Sequence, residues 1–417
     1  MKKFLAILNL KNTRLRGLIF NVYGFSFFNA LMLMAPVYTI FIQEHDVSDI
    51  RLSVLFIIYS VGVMLFQFPV AWLDRRIGRR NAILVGQAFK AAGIFLLFSA
   101  PGYFSFAITM LLWSVQGAAY NVSYEALLYD ELKARRHADV YAKVLGRRRA
   151  LTTVGTMLSA GGSLLLPLGY GFIMAASMAT AMIGTWFIMR INMRAGRPVP
   201  RERAARAIDF ARMMRTGFAV VARTPRILYL LLLCVMLVNI SFLDDYLSVI
   251  GLEIGLSKNF VGAVAFTAML FQTLGAAVAY RFRAIGNGAL YALISAAGLI
   301  FVAFAWFYSV SGLALLGIGY GLFAVLNVLV FARFQDSVPT HHRAIALSLY
   351  GAAVNVFYIG ILVVFGLGSM IGGWRYSILL LGMMGVLLGI WAALFVGDKC
   401  ANANRFCNTA RFRTLQN

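Results

Sequence analysis

The amino-acid sequence predicts an all-α integral membrane protein. Of its 417 residues, 61% are hydrophobic and only 13% are charged, and the mean hydropathy is +0.81. Soluble domains use roughly half apolar and about a quarter charged residues. Apolar runs recur along the whole chain, and each is close to the roughly 20 residues that a helix needs to cross a bilayer. Lipid is therefore the expected solvent for most of this chain.

Twelve apolar runs predict twelve transmembrane helices. They lie near residues 17–40, 53–73, 81–100, 104–128, 149–167, 170–190, 227–250, 260–281, 287–307, 311–332, 344–368 and 374–396. Six runs precede the longest polar stretch and six follow it, which predicts one six-helix bundle in residues 1–190 and a second in residues 227–396. Residues 191–226 then form a linker, and residues 397–417 form a basic tail.

The basic residues lie between the apolar runs and give the chain a formal charge of +23. With the N-terminus inside, 34 of the 38 Lys and Arg residues fall on that side, Lys90 lies within the third run, and only Arg51, Lys258 and Arg375 fall on the other side. The positive-inside rule then predicts that both termini are cytoplasmic, and we expect a bacterial inner membrane. Because these charges are not interleaved with stacking aromatic residues, we expect no binding of nucleic acid.

The segment 190–226 contains ten Arg residues in a helical pattern with apolar positions such as Ile208, Met213 and Phe218. This pattern is typical of a basic amphipathic helix that lies on the anionic headgroups of the cytoplasmic leaflet. The alternative is a solvated linker without membrane contact.

A charged loop, residues 74–80, follows the second apolar run on the predicted cytoplasmic side. A carboxylate can accept hydrogen bonds from the first N–H groups of a neighbouring helix, and Arg side chains can bridge to acids on adjacent helices. Such a cluster can hold one conformation of a membrane protein. The simpler interpretation is that these charges only set the topology.

This loop resembles the loop signature of the major facilitator superfamily, Gly-x-x-x-Asp-Arg-x-Gly-Arg-Arg/Lys. Five residues match it in register: Asp74, Arg75, Gly78, Arg79 and Arg80. Val70 stands at the first Gly position. The resemblance implies the fold of that family, with twelve helices in two bundles. It also implies that Asp74 caps the eleventh span in the outward-facing state and that Arg79 reaches an acid near the fourth span, for which Asp130 is the candidate.

Residues 120–132 with 144–149 look like a bacterial branch of the superfamily that contains drug transporters and uncharacterised transporters, and residues 334–339 with Arg343 carry a second resemblance. Drug/proton antiporters often have an Arg in the fourth span three residues before a Gln-Gly pair. Here Trp113 stands at that position, before Gln116 and Gly117, so the sequence departs from the antiporter pattern.

Ionisable residues inside membrane spans are costly and are functional candidates by default. Four are candidates for proton coupling: Glu125, Lys90, Asp244 and Asp245. Glu125 follows Asn121 by four residues, so both can lie on one helix face. The alternatives are a structural pair near the interface for Glu125, a snorkelling side chain for Lys90 and a simple helix end for the two Asp residues.

The resemblance implies that the first, fourth, seventh and tenth spans line a substrate cavity. The polar residues that these spans offer are Asn21, Asn29, Asn121, Tyr124, Asn239, Tyr320 and Asn327. In lipid, Asn and Tyr also serve as ordinary hydrogen-bond partners between helices, so that interpretation stays open for each residue.

These observations favour a secondary transporter that works by alternating access, with proton-coupled efflux of a small amphipathic or cationic molecule as the leading hypothesis. The alternatives are a proton symporter or facilitator that imports a small metabolite, and a membrane sensor or scaffold without transport activity. We expect a monomer that is not an enzyme. The sequence contains no Walker loop, and its four His residues lie in predicted loops without metal-ligand spacing, so we expect no cofactor or metal.

Overall fold

The computed structural model describes residues 13–193, 224–240, 244–338 and 343–396, and these residues form helices and turns without a strand. Most of the predicted amphipathic segment 190–226 and the whole tail 397–417 lie outside the described residues. The all-α fold class predicted from the sequence is confirmed.

The described part of the first half contains eight helices. They are α1 Thr13–Ala30, α2 Tyr38–Gln43, α3 Asp49–Ile77, α4 Arg79–Ser99, α5 Tyr103–Ala119, α6 Glu125–Ala134, α7 Tyr141–Ser159 and α8 Tyr170–Met189. A π-helical turn, Tyr120–Tyr124, joins α5 to α6, and a 3₁₀ segment, Ala160–Leu168, continues α7. A short 3₁₀ turn, Ala138–Val140, precedes α7.

The second half contains seven described helices. They are α9 Pro225–Ile240, α10 Leu247–Glu253, α11 Gly262–Val278, α12 Asn287–Trp306, α13 Leu313–Ser337, α14 Arg343–Gly372 and α15 Trp374–Trp391. Short 3₁₀ turns at Asp244–Tyr246, Lys258–Phe260, Ala279–Phe282 and Val310–Gly312 precede or follow these helices, and a π-helical turn, Ala392–Val396, follows α15.

Within the described residues, ten helices are long and apolar enough to cross a membrane. They correspond to the predicted spans except the first, which is interrupted between α1 and α2, and the fourth, which contains the π-helical turn Tyr120–Tyr124. A continuous helix over residues 17–40 was the wrong prediction, because α1 ends at Ala30 and α2 begins only at Tyr38. Pro36, which lacks a backbone N–H, lies in this interruption. Large apolar side chains remain exposed on the surface, such as Phe68 and Phe104, as expected where the surroundings are lipid.

The contacts divide the chain into two compact units. The first unit is Met1–Pro200 together with Asp245–Phe266, and the second is Arg201–Asp244 together with Thr267–Asn417. Residues 245–266 are thus part of the first unit, although their position in the sequence is in the second half.

Each unit repeats the same helix pairings. In the first unit, α1 packs on α7 and α8, and α4 packs on α5 and α8. In the second unit, α9 packs on α14, and α12 packs on α13 and α15. The first and fifth, third and fourth, and third and sixth spans of each half therefore meet in the same way, as in transporters built from internal repeats.

Candidate functional site

The charged loop 74–80 forms a tight turn between α3 and α4. Gly78 has a φ of +87°, a conformation that glycine adopts without strain. The turn brings Arg79 to α6, where its Nη2 lies 2.9 Å from Asp130 Oδ2, and its Nε lies 3.9 Å from Asp74 Oδ2. The structure therefore contains the ion pair between Arg79 and Asp130 that the resemblance implied, while the role of this cluster as a conformational latch stays a prediction.

Val70 occupies the place where the family signature has Gly. Its side chain is buried against Ala118 and Ala119 of α5. Small residues on one helix leave room for a larger residue on its neighbour. The two alanines thus allow α3 and α5 to pack closely despite the missing Gly.

Side chains from three elements hold the backbone that follows α8. Arg80 donates to the carbonyl of Ile191 at 3.3 Å, Arg135 donates to that of Asn192 at 2.7 Å, and Asn21 donates to that of Arg190 at 3.2 Å. Arg135 also pairs with the fully buried Glu131 at 3.0 Å. Asn21, which the sequence predicts to be a cavity residue, thus binds the backbone at the end of the sixth span. Arg75 is exposed.

The second unit has a comparable tie between its third and fourth spans. Arg333, near the end of α13, donates to Asn287 Oδ1 at 2.6 Å and to the carbonyl of Ile285, just before α12. Arg283 lies 3.8 Å from Asp336 in an exposed ion pair. Each half therefore joins the start of its third span to the end of its fourth span through an Arg side chain.

The interruption of the first span, residues 31–37, is closed by side chains from α7 and α8. Ser159 and Thr180 donate to the carbonyls of Ala30 and Leu31 at 3.0 and 2.7 Å. The N–H groups of Met32 and Met34 donate to Ser159 and Ser177, each at 2.8 Å. Broken helices within a membrane require such partners for the freed backbone groups.

Lys90 of α4 reaches the last turn of α1, just before this interruption. Its Nζ donates to the carbonyl oxygen of Asn29 at 2.9 Å and to Asn29 Oδ1 at 3.2 Å. Gln87, one turn earlier on α4, donates to the same Oδ1 at 3.1 Å. Lys90 is only 6% exposed, and in the part of the chain that the structure describes no carboxylate pairs with it. Lys90, a predicted proton-coupling residue, and Asn29, a predicted cavity residue, are thus hydrogen-bonded to each other.

The fourth span contains a buried tyrosine and arginine cluster at its π-helical turn. Tyr124 is fully buried, and its hydroxyl lies 2.8 Å from the carbonyl of Val22 and 2.7 Å from Ser26 Oγ. Arg148 of α7 donates to Tyr120 at 2.8 Å, and its guanidinium carbon lies 5.2 Å from the centre of the Tyr124 ring. π-helical turns inside α-helices often occur at functional sites.

The remaining candidates of the fourth span differ in their surroundings. Asn121 is exposed. Glu125 is the first residue of α6, but its side chain lies outside the described residues. Its proposed proton-coupling role therefore stays a prediction.

The cavity candidates of the second unit are mostly buried. Asn239 donates to the carbonyl of Val235 at 2.8 Å and to that of Val354 at 3.3 Å, so it links α9 to α14. Tyr320 is fully buried, and its ring centre lies 5.7 Å from that of Phe301. Asn327 is half-buried. The contacts of Asn239 match the alternative of a hydrogen-bond partner between helices.

Residues 245–266 contact the rest of the first unit on the side that the positive-inside rule predicts to be extracellular. We call this set of contacts the outer clasp. Tyr38 donates to Asp245 Oδ1 at 2.9 Å, and Tyr246 donates to Ser53 Oγ at 2.9 Å. The Tyr246 ring also meets the edge of Phe56, with centres 5.1 Å apart. Of the two predicted Asp candidates, Asp244 is exposed, whereas Asp245 is a member of the clasp.

The clasp continues at the next turn of the chain. Lys258 forms an ion pair with Glu44, at the end of α2. The N–H of Gly262 donates to Ser163 Oγ at 3.1 Å, and a Cβ atom at Gly262 would lie 1.9 Å from the carbonyl oxygen of Ala160. Glycine at this position therefore permits backbone contact between α11 and the 3₁₀ segment that follows α7.

Several residues of these sites could not be selected from the sequence. Arg148 is only 3% exposed, yet in the sequence it is one of three consecutive Arg residues at a predicted loop edge. Ser159, Ser177 and Thr180 are small polar residues in apolar runs, and such residues are common in membrane helices. The proline at position 36 in the first span is the one local signal that indicates the interruption they close.

Comparison with known proteins identifies the family. A model of the major facilitator superfamily matches residues 19–358. No curated protein matches the sequence.

Solved structures of transporters share the fold. A point mutant of the nucleoside transporter NupG aligns with a TM-score of 0.70 at 12% identity over 89% of this chain and 98% of that chain. The inward-open xylose transporter XylE from E. coli aligns with a TM-score of 0.63 at 14% identity over 91% and 95%. The POT family transporter PepTSo aligns with a TM-score of 0.66 at 13% identity over 92% and 98%. The chain therefore belongs to the major facilitator superfamily and is a membrane transporter that uses alternating access.

Proposed function

We propose that this transporter couples the passage of a small organic solute to proton movement, and that the outer clasp is its outer gate. The observation that carries the proposal is that residues 245–266 belong to the first unit, although the rest of the second half of the described chain forms another unit. A transporter that opens to the outside must release such a segment. The clasp is therefore the expected point of separation on that side.

The contacts of the clasp suit a gate that opens repeatedly. They are hydrogen bonds through Tyr38, Tyr246 and the Gly262 N–H, and one partly exposed ion pair between Lys258 and Glu44. A hydrogen bond contributes about 1 kcal/mol net, and exposed ion pairs contribute less. Several such contacts hold a closed state, while each one is weak enough to be exchanged for water.

Proton-coupled efflux of a small amphipathic molecule is our first candidate for the activity. Glu125 and Asp245 are the proposed groups for proton exchange. Carboxyl groups in membrane spans are costly, so those that occur usually pair with another group or lie on a proton or substrate pathway. In this proposal Asp245 accepts the hydrogen bond of Tyr38 in the closed gate and gives up that bond on opening.

Proton-coupled uptake of a neutral or anionic metabolite is the second candidate, and Lys90 favours it. A buried ammonium without a paired carboxylate among the described residues makes the interior of the first unit unfavourable for a cationic solute. The names of two structural neighbours reported above, a nucleoside transporter and a xylose transporter, agree with a polar metabolite.

Proton movement in everted membrane vesicles separates the two candidates. The vesicles are energised so that their lumen is acidic, and a panel of lipophilic compounds, sugars, nucleosides and organic acids is added. Antiport predicts loss of lumen protons on addition of a substrate, whereas symport predicts additional lumen acidification. In either case Glu125→Gln should abolish the signal while the protein remains folded.

Absence of a proton signal for every compound, with folded protein in the vesicles, would contradict coupling to protons. Flux of radiolabelled solute without proton movement would then identify a facilitator. Absence of flux as well would favour the sensor or scaffold alternative.

A further inference from the structure

The interruption of the first span deprives backbone carbonyls of the hydrogen bonds that a continuous helix would give them. Side chains of other helices donate to three of these carbonyls. The carbonyls of Ala30 and Leu31 receive hydroxyl groups from Ser159 and Thr180. The carbonyl of Asn29 instead receives the ammonium of Lys90. The Asn29 carbonyl is therefore bound by a cation, whereas neutral hydroxyl groups are sufficient for the two neighbouring carbonyls.

The position of this ammonium is electrostatically distinct. It lies at the C-terminal end of α1, an 18-residue helix whose aligned peptide dipoles place partial negative charge there. In transporters with discontinuous helices, such C-terminal ends and unwound carbonyls coordinate free cations. Lys90 reaches the corresponding place from α4.

The oxygen atoms around the ammonium resemble those of a small-cation site. Lys90 Nζ contacts the backbone oxygen and Oδ1 of Asn29. Gln87 is 4% exposed, and its Nε2 donates to Asn29 Oδ1, while its Oε1 is buried without a hydrogen-bond partner. A buried oxygen without a donor costs free energy, so Gln87 Oε1 is an unused acceptor on the side chain that positions Asn29. Two oxygens of Asn29 thus contact the ammonium, and a third buried oxygen lies on the neighbouring Gln87 side chain.

We propose that the Lys90 ammonium is a tethered cation in a cation site at the interruption of the first span, formed by Asn29 and Gln87. The site takes a small monovalent cation, such as ammonium or methylammonium, when the amine is removed. In the native chain, Lys90 holds the interrupted form of the first span without a dissociable ion. Lys90 is thus a positioning residue, and the proposal does not depend on the solute or on proton coupling.

Thermal unfolding of the purified full chain in detergent tests the proposal without a transported solute. Lys90→Ala removes the amine and leaves space, so its Tm should lie below that of the native protein. Ammonium or methylammonium chloride should raise that Tm in a saturable manner, relative to choline chloride at the same ionic strength, because choline is too large for the site. Ligand that binds only the folded state stabilises it by mass action.

Lys90→Met is the matched control, because its side chain fills the space but carries no charge. Its Tm and that of the native protein should respond equally to ammonium and choline. If Lys90→Ala does not fold, Lys90→Ser leaves similar space and its hydroxyl can bond to its own helix, so it provides the same test.

Selective stabilisation of the Ala or Ser variant by small cations, with no such effect on the Met variant, is the expected result. Equal stabilisation of all variants would overturn the proposal, because it would be a general salt effect. A Tm of the Ala and Ser variants that no small cation raises above the choline value would also overturn it.

Discussion

At the residue scale, two buried cations of the first unit show what a sequence can and cannot predict. Lys90 stands alone in an apolar run, so its charge is enough to make it a candidate. Arg148 is equally buried, but its neighbours Arg147 and Arg149 give it the pattern of a topological charge. The burial of Arg148 depends on where α7 begins. The helix starts at Tyr141, so Arg148 lies two turns inside it and not in the preceding loop. Helix boundaries are the least certain part of sequence interpretation.

The ion pair between Arg79 and Asp130 leads to a prediction about stability. Arg79→Ala and Asp130→Ala should each lower the free energy of unfolding by about 1 kcal/mol or less, since Asp130 is partly exposed. The double variant should cost less than the sum of the two, because both substitutions remove the same contact. Thermal or denaturant unfolding of the purified variants measures this coupling.

Arg75→Ala is the control for that comparison, because Arg75 belongs to the same loop but is exposed and has no ion pair among the described residues. It should change the stability little. Strict additivity of the Arg79 and Asp130 variants would show that the pair contributes nothing, and the predicted conformational latch would then lose its structural basis in the first unit.

At the element scale, the interrupted first span depends on close approach by the fifth span. A Cβ atom at Gly162 would lie 1.7 Å from the carbonyl oxygen of Leu33, whereas a Cβ atom at Gly161 would meet no atom within 4 Å. The sequence shows a Gly-Gly pair, and small residues predict packing. It does not show which of the two glycines faces the neighbouring backbone.

These adjacent glycines give a matched pair of variants. Gly162→Ala should destabilise the protein by about 3 kcal/mol or more, or prevent its folding, because backbone must move to accept the methyl group. Gly161→Ala should be tolerated. The yield of monodisperse protein and its Tm measure both, and similar behaviour of the two variants would contradict the packing of this interruption.

The outer clasp gives a second prediction for an element. Tyr246→Phe removes the hydroxyl that bonds to Ser53 but keeps the ring that meets Phe56. Loss of a hydrogen bond that contributes about 1 kcal/mol should increase the population in which residues 245–266 are released from the clasp roughly fivefold. Ser248, buried within α10, reports release when it is replaced by Cys and treated with a water-soluble maleimide.

Tyr376→Phe in the same reporter background is the control, because that tyrosine is exposed and lies in the second unit. Its labelling rate should equal that of the parent. An unchanged labelling rate in Tyr246→Phe would show that the hydroxyl does not help to hold the clasp.

At the scale of the whole molecule, the sequence was sufficient for the fold class and the family. Composition, the apolar runs and the loop Asp74–Arg80 all depend on local sequence, and the family match over residues 19–358 agrees with them. The clasp could not be predicted in this way. Its partners, such as Glu44 with Lys258, are separated by 214 positions, and no local pattern joins them.

As the proposed outer gate, the outer clasp must open during each transport cycle. We would replace Glu44 and Lys258 with Cys in a background without Cys234, Cys400 and Cys407, and join the new thiols with a short reducible crosslinker. Crosslinking should stop substrate-induced proton movement in vesicles and reduction should restore it, while each single Cys variant is unaffected by the reagent. Undiminished proton movement in fully crosslinked protein would contradict the gate.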